Sequence, residues 1–444
     1  MDLISQTVVD GKAGPGAGTT YPTLPDVDLA DIFRFAKGQP FADYARMRAE
    51  APVMWHAEPY GGPGFWAVTR HADVMTVNGD PATYSSQRGG ILMAMGPPDR
   101  RHALLFRASM DTMINLDAPH HLQLRREHMP YFTPSYLRGI TEAVRGEVTR
   151  LLDAMEPLLE GGATIDMVEH FSSVLPLFTL CEILGVPPED RGKFLKWMHY
   201  LERAQDLAVQ QAAAPITPTL ELMQFVQDFN TNVEEMFDYG RMMLLKRRED
   251  PQNDLMTAIA RAQVDGALLA DEYLDGSWLL IVFAGNDTTR NTLSGAMKLL
   301  TEFPDQRQLL IDNPDLMGGA VDEFIRMVSP VIYMRRTATA DTELNGQLIR
   351  EGEKVIMYYG AANRDPEVFP DADQLDVRRP NAGKHIAFGY GPHTCIGKRV
   401  AQIQLEEAYR QILARFPDLK ATGEIEIAPN NFVHAISKLM VKRG

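Results

Sequence analysis

One cysteine lies in a glycine-rich loop near the C-terminal end of the chain, and its surroundings suit a bound metal. The loop reads FGYGPHTCIG from Phe388 to Gly397, and a helical pattern follows it. Glycines let a backbone approach a large planar group, and N–H groups at a helix N-terminus stabilise a thiolate. Such donors also tune the potential of an iron bound to the sulfur. The loop therefore predicts that Cys395 is an anion that binds iron, although a lone cysteine in a turn is more often a small buried residue.

A polar notch interrupts a long apolar helix that the residue spacing predicts over residues 271–303. The notch reads GNDTT from Gly285 to Thr289. Glycine costs a helix interior about 1 kcal/mol relative to alanine, and threonine side chains that bond back to a carbonyl bend a helix. A notch of this kind can hold a small polar ligand such as dioxygen with water, and Asp287 and Thr288 can relay protons to it. Taken alone, the same pair is more typical of a surface or a helix cap.

Charged residues recur at spacings that suit an ion pair and an anion site. Glu323 and Arg326 are three residues apart in an amphipathic segment, so they share a helix face. An exposed pair of this kind would contribute only about 0.2 to 0.5 kcal/mol. The stretch DAPHHLQLRR, which begins at residue 117, contains His121 and Arg125. Enclosed carboxylates need cationic donors, preferably arginine, but a solvated surface position is the simpler interpretation of each residue taken singly.

Taken together, these motifs resemble those of the cytochrome P450 family and follow one another in the order expected for it. The cysteine loop matches F-G-x-G-x-H-x-C-x-G, the notch with the alanine before it matches A/G-G-x-D/E-T, and the ion pair matches E-x-x-R. Residues 117–126 are similar to the D-P-P-x-H-x-x-x-R-R helix start, with Ala118 in place of a proline. The resemblance covers roughly residues 30–442.

The resemblance implies a haem-thiolate monooxygenase that inserts one oxygen atom from O2 into its substrate. It implies haem b as the cofactor, with the Cys395 thiolate as the axial iron ligand and Phe388 packed beside the sulfur. Arg335 is the rival of Arg336 for one haem propionate. The other residues implied in cofactor binding are His121, Arg125, Ala284, Gly285, Arg336, His393 and Gly397.

Two further roles follow from the same resemblance. Thr288 would hydrogen-bond the bound oxygen and Asp287 would supply protons to it, as the catalytic pair of the notch. The ion pair would be buried and joined by a second arginine, so removal of one member would cost about 3 to 5 kcal/mol. The members of this structural network would be Glu323, Arg326 and Arg379.

The elements that must position these residues are mainly helical. A length of 444 residues by itself suggests about three domains. The resemblance instead implies one P450 domain over residues 26–444, after a flexible arm over residues 1–25, and a fold that is mainly α with a smaller β-rich lobe. Residues 361–384 are a long irregular segment, which usually serves a site. Apolar spacings predict helices over 136–155, 165–183, 220–248, 254–262, 271–303, 304–311 and 398–416, and strands at 65–69, 331–333, 342–345 and 354–359.

Composition excludes several classes of protein. The chain has two cysteines, Cys181 and Cys395, which exclude a disulfide framework and an all-cysteine metal cluster within one chain. A formal charge of −15 disfavours nonspecific nucleic-acid binding. No apolar run approaches the ~18 to 20 residues that cross a bilayer, and the first twenty residues lack a signal-peptide pattern. We therefore expect a cytoplasmic protein that binds neither nucleic acid nor membrane.

The segments that would face a substrate are almost entirely apolar. Such a pocket predicts a small hydrophobic substrate, such as a terpenoid, steroid, alkyl or aromatic hydrocarbon, and discriminates by shape. The second half of the chain is closest in character to soluble bacterial members of the family that act on terpenoids, alkanes and sterol side chains. The candidate pocket residues are Met93, Met95, Met113, Phe283, Val331, Ile332 and Phe432.

Electrons are expected from another protein, because 444 residues leave no room for a flavin or ferredoxin domain. NAD(P)H would supply them through a ferredoxin reductase and a separate ferredoxin, with residues 125–126 and 398–399 as a basic docking patch. Two alternatives stay open, namely a peroxygenase that uses H2O2 directly and a haem-thiolate sensor or carrier without turnover. Peroxygenases of the family typically lack the acid and alcohol that Asp287 and Thr288 supply.

Overall fold

Helices make up most of the protein. The computed structural model describes residues 21–58, 62–93, 102–213 and 219–444. The helices are α1 (Phe41–Glu50), α2 (His71–Gly79), α3 (Ala103–Met110), α4 (His120–His128), α5 (Pro134–Met155), α6 (Val174–Leu184), α7 (Arg191–Ala213), α8 (Leu220–Glu249), α9 (Leu255–Arg261), α10 (Asp271–Ala284), α11 (Asp287–Glu302), α12 (Pro304–Asp312), α13 (Met317–Val328), α14 (Tyr359–Ala362) and α15 (Lys398–Arg415).

The strands are short, and the largest sheet that they form has the order β1-β2-β10-β7-β3. Strand β10 runs parallel to β2 and antiparallel to β7, with Val355 opposite Trp66 and Tyr358 opposite Tyr333. The strands are β1 (Val53–His56), β2 (Phe65–Val68), β3 (Tyr84–Ser85), β4 (Ile165–Asp166), β5 (Gln263–Val264), β6 (Ala267–Leu268), β7 (Tyr333–Ala338), β8 (Thr342–Leu344), β9 (Gln347–Ile349), β10 (Lys354–Tyr358), β11 (Lys420–Ala421), β12 (Glu426–Ile427), β13 (Ile436–Lys438) and β14 (Met440–Lys442).

The main apolar core lies among the long helices α5, α6, α8, α10, α11, α13 and α15. Apolar side chains three and four residues apart give each helix one buried face, as Leu137, Ile140 and Val144 do in α5. Trp278 of α10 is fully buried, and its indole N–H donates to the Met236 carbonyl of α8 at 3.1 Å. Two smaller cores cover the opposite faces of the five-stranded sheet. Among the described residues, no helix combines the length and the apolar character needed to span a bilayer.

The expected fold class, mainly α with a smaller β-rich lobe, is confirmed. The long helix expected over 271–303 is present as α10 and α11, with its break at Gly285 and Asn286. The helix expected over 165–183 is wrong at its start, because residues 165–166 form β4 and pair with β14. The Asp166 carboxylate accepts hydrogen bonds from the Val168 and Leu439 N–H groups. These bonds cap the next turn and attach the segment to the C-terminal strand, which local spacing does not reveal.

Two other boundaries differ from the expectation. The strand expected at 331–333 begins at Tyr333, the residue from which β7 pairs with β10. The arm expected over residues 1–25 contributes its last residues to the packed structure. Tyr21 stacks on Trp55 at 5.0 Å, and the Trp55 N–H donates to the Pro22 carbonyl. Residues 1–20 lie outside the described part of the chain.

Candidate active site

The cysteine loop is a tight turn that presents one sulfur to a large internal cavity. Gly389 and Gly391 both have φ of 72°, and a Cβ atom on Gly391 would lie 2.7 Å from the Asn78 carbonyl oxygen. Only glycine fits such a position without strain. The Cys395 N–H donates to the Phe388 carbonyl at 2.8 Å, which closes the turn. The Cys395 side chain is accessible from the cavity, whereas Cys181, the other cysteine, is buried.

The electrostatic surroundings of Cys395 favour a thiolate that is paired with a cation. Burial raises the pKa of the Cys395 thiol, while the Gly397 N–H, the Arg125 charge and the start of α15 at Lys398 lower it. The Arg125 guanidinium also donates to the Thr394 carbonyl at 2.6 Å, beside the sulfur. A metal cation deprotonates a coordinating thiol outright. The loop therefore suits a metal ligand better than a free nucleophile.

The break between α10 and α11 forms a second part of the cavity wall. Ala284, Gly285 and Thr288 all line it. The Thr288 hydroxyl donates to the Ala284 carbonyl at 3.0 Å, across the break. A Cβ atom on Gly285 would lie 3.3 Å from both the Ile281 carbonyl oxygen and a Leu180 methyl group, so the small residue lets α6 approach. This part of the wall is thus a helix break at which the Thr288 hydroxyl is held by a carbonyl of the preceding turn.

Asp287 lies next to this wall but does not form part of it. Its carboxylate accepts a hydrogen bond from Asn286 Nδ2 at 3.2 Å, and its carbonyl accepts one from Asn291 Nδ2 at 2.8 Å. Asn286 is 2% exposed, so the carboxylate is approached on one side by a buried amide. Asp287 directly precedes Thr288 in the chain, but its carboxylate lies outside the cavity wall.

The expected network of Glu323, Arg326 and Arg379 is formed between α13 and the segment that precedes the cysteine loop. Arg326 Nε and Nη2 each donate to a different Glu323 oxygen at 2.7 Å, and Arg379 Nε donates to Glu323 Oε1 at 2.9 Å. Glu323 and Arg326 are fully buried. Burial alone would raise the pKa of Glu323, but the hydrogen bonds and charge of Arg326 lower it below its usual range. The carboxylate is therefore held ionised inside the protein.

Cationic and imidazole groups gather at one side of the cavity. His121, Arg125, Arg336 and His393 all line it, and the two imidazole rings stack at 3.9 Å. Burial, followed by the Arg336 charge, lowers the pKa of His393 to about 2, and burial with the Arg125 charge lowers that of His121 to about 4. Both rings are thus neutral beside two arginines. This cluster is an enclosed site for anionic groups.

The structure separates the two candidate arginines of β7. Successive side chains of a strand point to opposite faces, and Arg336 is the one that lines the cavity. Arg335 points to the other face, where Nη1 donates to the Leu92 carbonyl at 3.3 Å and Nη2 to the Thr337 hydroxyl at 3.2 Å. Arg336 is therefore placed toward the cavity and its rival is not.

The candidate pocket residues divide into two sets. Met113 and Val331 line the cavity. The other described candidates do not line it: Phe283 is 37% exposed and lies off the cavity-facing stripe of α10, and Ile332, next to Val331, is buried in a separate cluster. Their role in substrate binding stays a prediction, and Met95 lies outside the described residues. The candidates that pack in a core beside the sheet are Met93, Ile332 and Phe432.

Several cavity residues escaped the sequence analysis, although spacing carried a signal for most of them. Residues at intervals of three and four before Ala284 and Thr288 share their helix face. That rule would have found the α10 members of the wall. The cavity-lining residues missed in this way are Ser277, Leu280 and Ile281, and Ile114 joins them from another segment.

These surroundings fit haem b. The cavity volume is about 270 Å3, and its wall combines apolar side chains, one accessible thiol and the arginine and histidine cluster. Within the described ranges, no group of three or more His, Cys, Asp or Glu side chains is placed to hold a metal ion. A metal on Cys395 would therefore take its remaining ligands from a bound group such as a porphyrin, whose carboxylates the cationic cluster would accept.

Comparison with known sequences agrees with this geometry. Residues 97–442 match the sequence model described as cytochrome P450, which is more than half of the chain. The chain belongs to the cytochrome P450 family. This P450 is a monooxygenase, and its family implies a haem with a cysteine thiolate as axial ligand.

Individual relatives of this P450 are similar over almost their whole length. The linalool 8-monooxygenase of Pseudomonas putida is 33% identical over 424 residues, which are 94% of this chain and 98% of the relative. A steroid C26-monooxygenase of Mycobacterium tuberculosis is 33% identical over 420 residues, 94% of this chain and 97% of the relative. Among solved structures, a Mycobacterium marinum cytochrome P450 in complex with pseudoionone is 32% identical with a TM-score of 0.82, over 96% of this chain and 100% of that one.

Proposed function

We propose that this P450 inserts one oxygen atom from O2 into an apolar substrate of terpenoid or steroid type. The observation that carries the proposal is the cavity itself, whose mainly apolar lining includes both an accessible thiol and a helix break with a hydroxyl. Met113, Val331 and Met334 supply apolar surface on the substrate side. The substrate class is supported by the relatives, which are a linalool monooxygenase and a steroid monooxygenase.

Haem b, when bound at Cys395, supplies the iron chemistry that activates dioxygen. His121, Arg125, Arg336 and His393 would hold its carboxylates, because these four groups converge on one side of the cavity. Gly389 and Gly397 would allow the loop to lie close to its plane, and Phe388 would shield the sulfur from water. These assignments make the cysteine loop and β7 the two sides of the cofactor site.

Thr288 would hold and deliver a proton in the cavity. Its hydroxyl now donates to the Ala284 carbonyl, and rotation about one bond would turn the same proton toward dioxygen bound beside Ala284. Asp287, the residue before Thr288, would replace that proton from outside the wall, and the Asn286 amide that donates to its carboxylate would hold the carboxylate in place. A hydroxyl in this position favours a reaction with O2 over the peroxygenase and the sensor alternatives.

Electrons would come from a separate cytoplasmic ferredoxin, reduced by NAD(P)H through its reductase. The basic patch expected for its docking is already partly engaged within the chain. Arg399 pairs with Glu406 at 2.8 Å, and the Lys398 ammonium lies 5.6 Å from the centre of the Phe388 ring. Arg126 is exposed and forms the part of the patch that is open to an acidic partner.

The decisive experiment compares the two cysteines. We expect the reduced protein under carbon monoxide to show the red-shifted Soret band of a thiolate adduct, in the wild type and in Cys181→Ala but not in Cys395→Ala. With NADH, ferredoxin reductase and ferredoxin, the first two proteins should oxidise linalool or a sterol in an O2-dependent reaction. A thiolate signature without turnover would refute the monooxygenase proposal, and its absence from folded, haem-containing wild type would refute the cofactor site.

A further inference from the structure

One cavity-facing hydroxyl is placed far from the helix break and has no assigned role. Ser277 is 3% exposed, lines the cavity and forms no hydrogen bond through its hydroxyl with any described residue. Most other cavity hydroxyls are already satisfied. Those of Thr179, Thr288 and Thr292 donate to the Leu175, Ala284 and Thr288 carbonyls at 2.9, 3.0 and 2.8 Å. A buried hydroxyl without a hydrogen-bond partner is costly unless a ligand or a water molecule supplies one.

Ser277 is held firmly in a part of the wall that lies two helical turns before the break. At its neighbour Gly276 a Cβ atom would collide with the Asp111 carbonyl oxygen, so the end of α3 packs directly on the α10 backbone. Asp275, 3% exposed, accepts a hydrogen bond from Arg241 Nε of α8 at 2.8 Å. These contacts fix α10 between α3 and α8, and Met113, just beyond α3, lines the same cavity.

The helix gives the distance from this hydroxyl to the break. Ser277 and Ala284 are seven residues apart on the same helix face, which corresponds to about 10 Å at 1.5 Å per residue. Leu280 and Ile281 lie between them and line the cavity with apolar side chains. A ligand that spans this wall meets one polar group at one end, an apolar stretch, and the helix break at the other end.

We propose that the Ser277 hydroxyl binds the oxygen atom of an alcohol or ketone at one end of an otherwise apolar substrate. Oxidation is thereby directed to a carbon about 10 Å from that oxygen. The inference rests on the proposed monooxygenase function and adds to it the polarity, orientation and length of the substrate. The Thr289 hydroxyl also forms no hydrogen bond with the described residues and lines the cavity, but it lies beside Thr288, where a bound polar group would reach the reaction centre itself.

The test uses a ketone and its hydrocarbon counterpart as ligands of the haem-containing protein. Pseudoionone and the hydrocarbon in which two hydrogens replace its carbonyl oxygen are titrated while the Soret band is followed. We expect wild type to bind the ketone about three to ten times more tightly than the hydrocarbon, as befits one neutral hydrogen bond. Ser277→Ala should lose this preference and keep its affinity for the hydrocarbon.

Two variants serve as controls. Thr179→Val removes a cavity hydroxyl that is already bonded within its helix, so the ketone preference should survive. If the preference survives in Ser277→Ala, or is lost in Thr289→Val instead, the inference is overturned. Equal affinity of wild type for both ligands also overturns it and leaves the proposed function intact. Failure of wild type to bind either ligand overturns the proposed substrate class together with the inference.

Discussion

The loss of one phenolic oxygen, in Tyr359→Phe, should loosen the cationic side of the cavity. Asn78 Nδ2 donates to the Tyr359 hydroxyl at 3.2 Å, and Arg336 Nη2 donates to Asn78 Oδ1 at 3.4 Å. Asn78, Arg336 and Tyr359 are each 3% exposed or less. The phenol thus fixes the amide, and the amide orients the guanidinium that faces the cavity.

The size of the effect follows from the unpaired amide. A neutral hydrogen bond contributes a net ~0.5 to 1.5 kcal/mol, and an unsatisfied buried group costs about 1 to 3 kcal/mol. Because the two bonds are long, at 3.2 and 3.4 Å, the smaller values apply. We expect the binding free energy of haem to weaken by about 1 kcal/mol, which corresponds to roughly fivefold faster haem release.

Tyr358→Phe is the matched control, because it is the same substitution at the preceding residue. The Tyr358 hydroxyl is buried and has no hydrogen-bond partner among the described residues, so its removal should be neutral or stabilising. The assay follows the Soret band while each holoprotein transfers haem to excess apomyoglobin, and the denaturant midpoint is measured in parallel. Equal haem release from both variants would refute the proposed positioning of Arg336.

Two further predictions concern the helix break and the pH range of stability. Thr288→Ala should retain haem but divert reducing equivalents to H2O2. Thr292→Ala should not, because the hydroxyl that it removes is already bonded to the Thr288 carbonyl. Equal coupling of electrons to product in both variants would contradict the proton-delivery role. Burial lowers the pKa of His128, which is 3% exposed, to about 4. Because the unfolded chain binds that proton near pH 6.5, the stability present above pH 6.5 should fall as the pH drops toward 4, by an amount on the order of 3 kcal/mol. His128→Leu should flatten this decline in denaturant midpoints, and an unchanged slope would exclude His128 as its source.

Local motifs were predictable because each one constrains a short stretch of backbone. The turn around Gly389 and Gly391, the polar break before Asp287 and the shared helix face of Glu323 and Arg326 all depend on residues within one or two helical turns. The long helices were predictable for the same reason, since a period of 3.6 residues repeats over many turns. Such features need no knowledge of distant contacts.

Side-chain direction was less predictable wherever it depends on distant pairing. A shift of one residue in a strand moves every side chain to the other face, so the choice between Arg335 and Arg336 required the register of β7 against β10. Val331 and Ile332 precede β7, where this alternation no longer holds, and Val331 rather than Ile332 lines the cavity. The pairing of β4 with β14 joins segments more than 270 residues apart, which no local pattern reveals.

The buried charges of Glu323 and Arg326 provide hydrogen-bond partners for the irregular backbone around them. Residues 361–384 bury carbonyl groups that no regular ladder satisfies, and such groups must find donors. Arg326 donates to the Asn363 and Ala372 carbonyls at 2.8 Å each. The Asn363 side chain in turn accepts a hydrogen bond from the Ile386 N–H at 2.8 Å, two residues before the cysteine loop begins.

An apolar replacement of this ion pair would therefore not be neutral, as it can be in a regular core. Arginine offers five donors in a rigid fork, and here the fork serves Glu323 and two backbone carbonyls at once. Arg379 completes the arrangement from the far end of the segment, where it donates to the Pro370 carbonyl at 2.7 Å as well as to Glu323. The network thus holds the Asn363, Pro370 and Ala372 carbonyls of this irregular segment in place, shortly before the chain enters the cysteine loop.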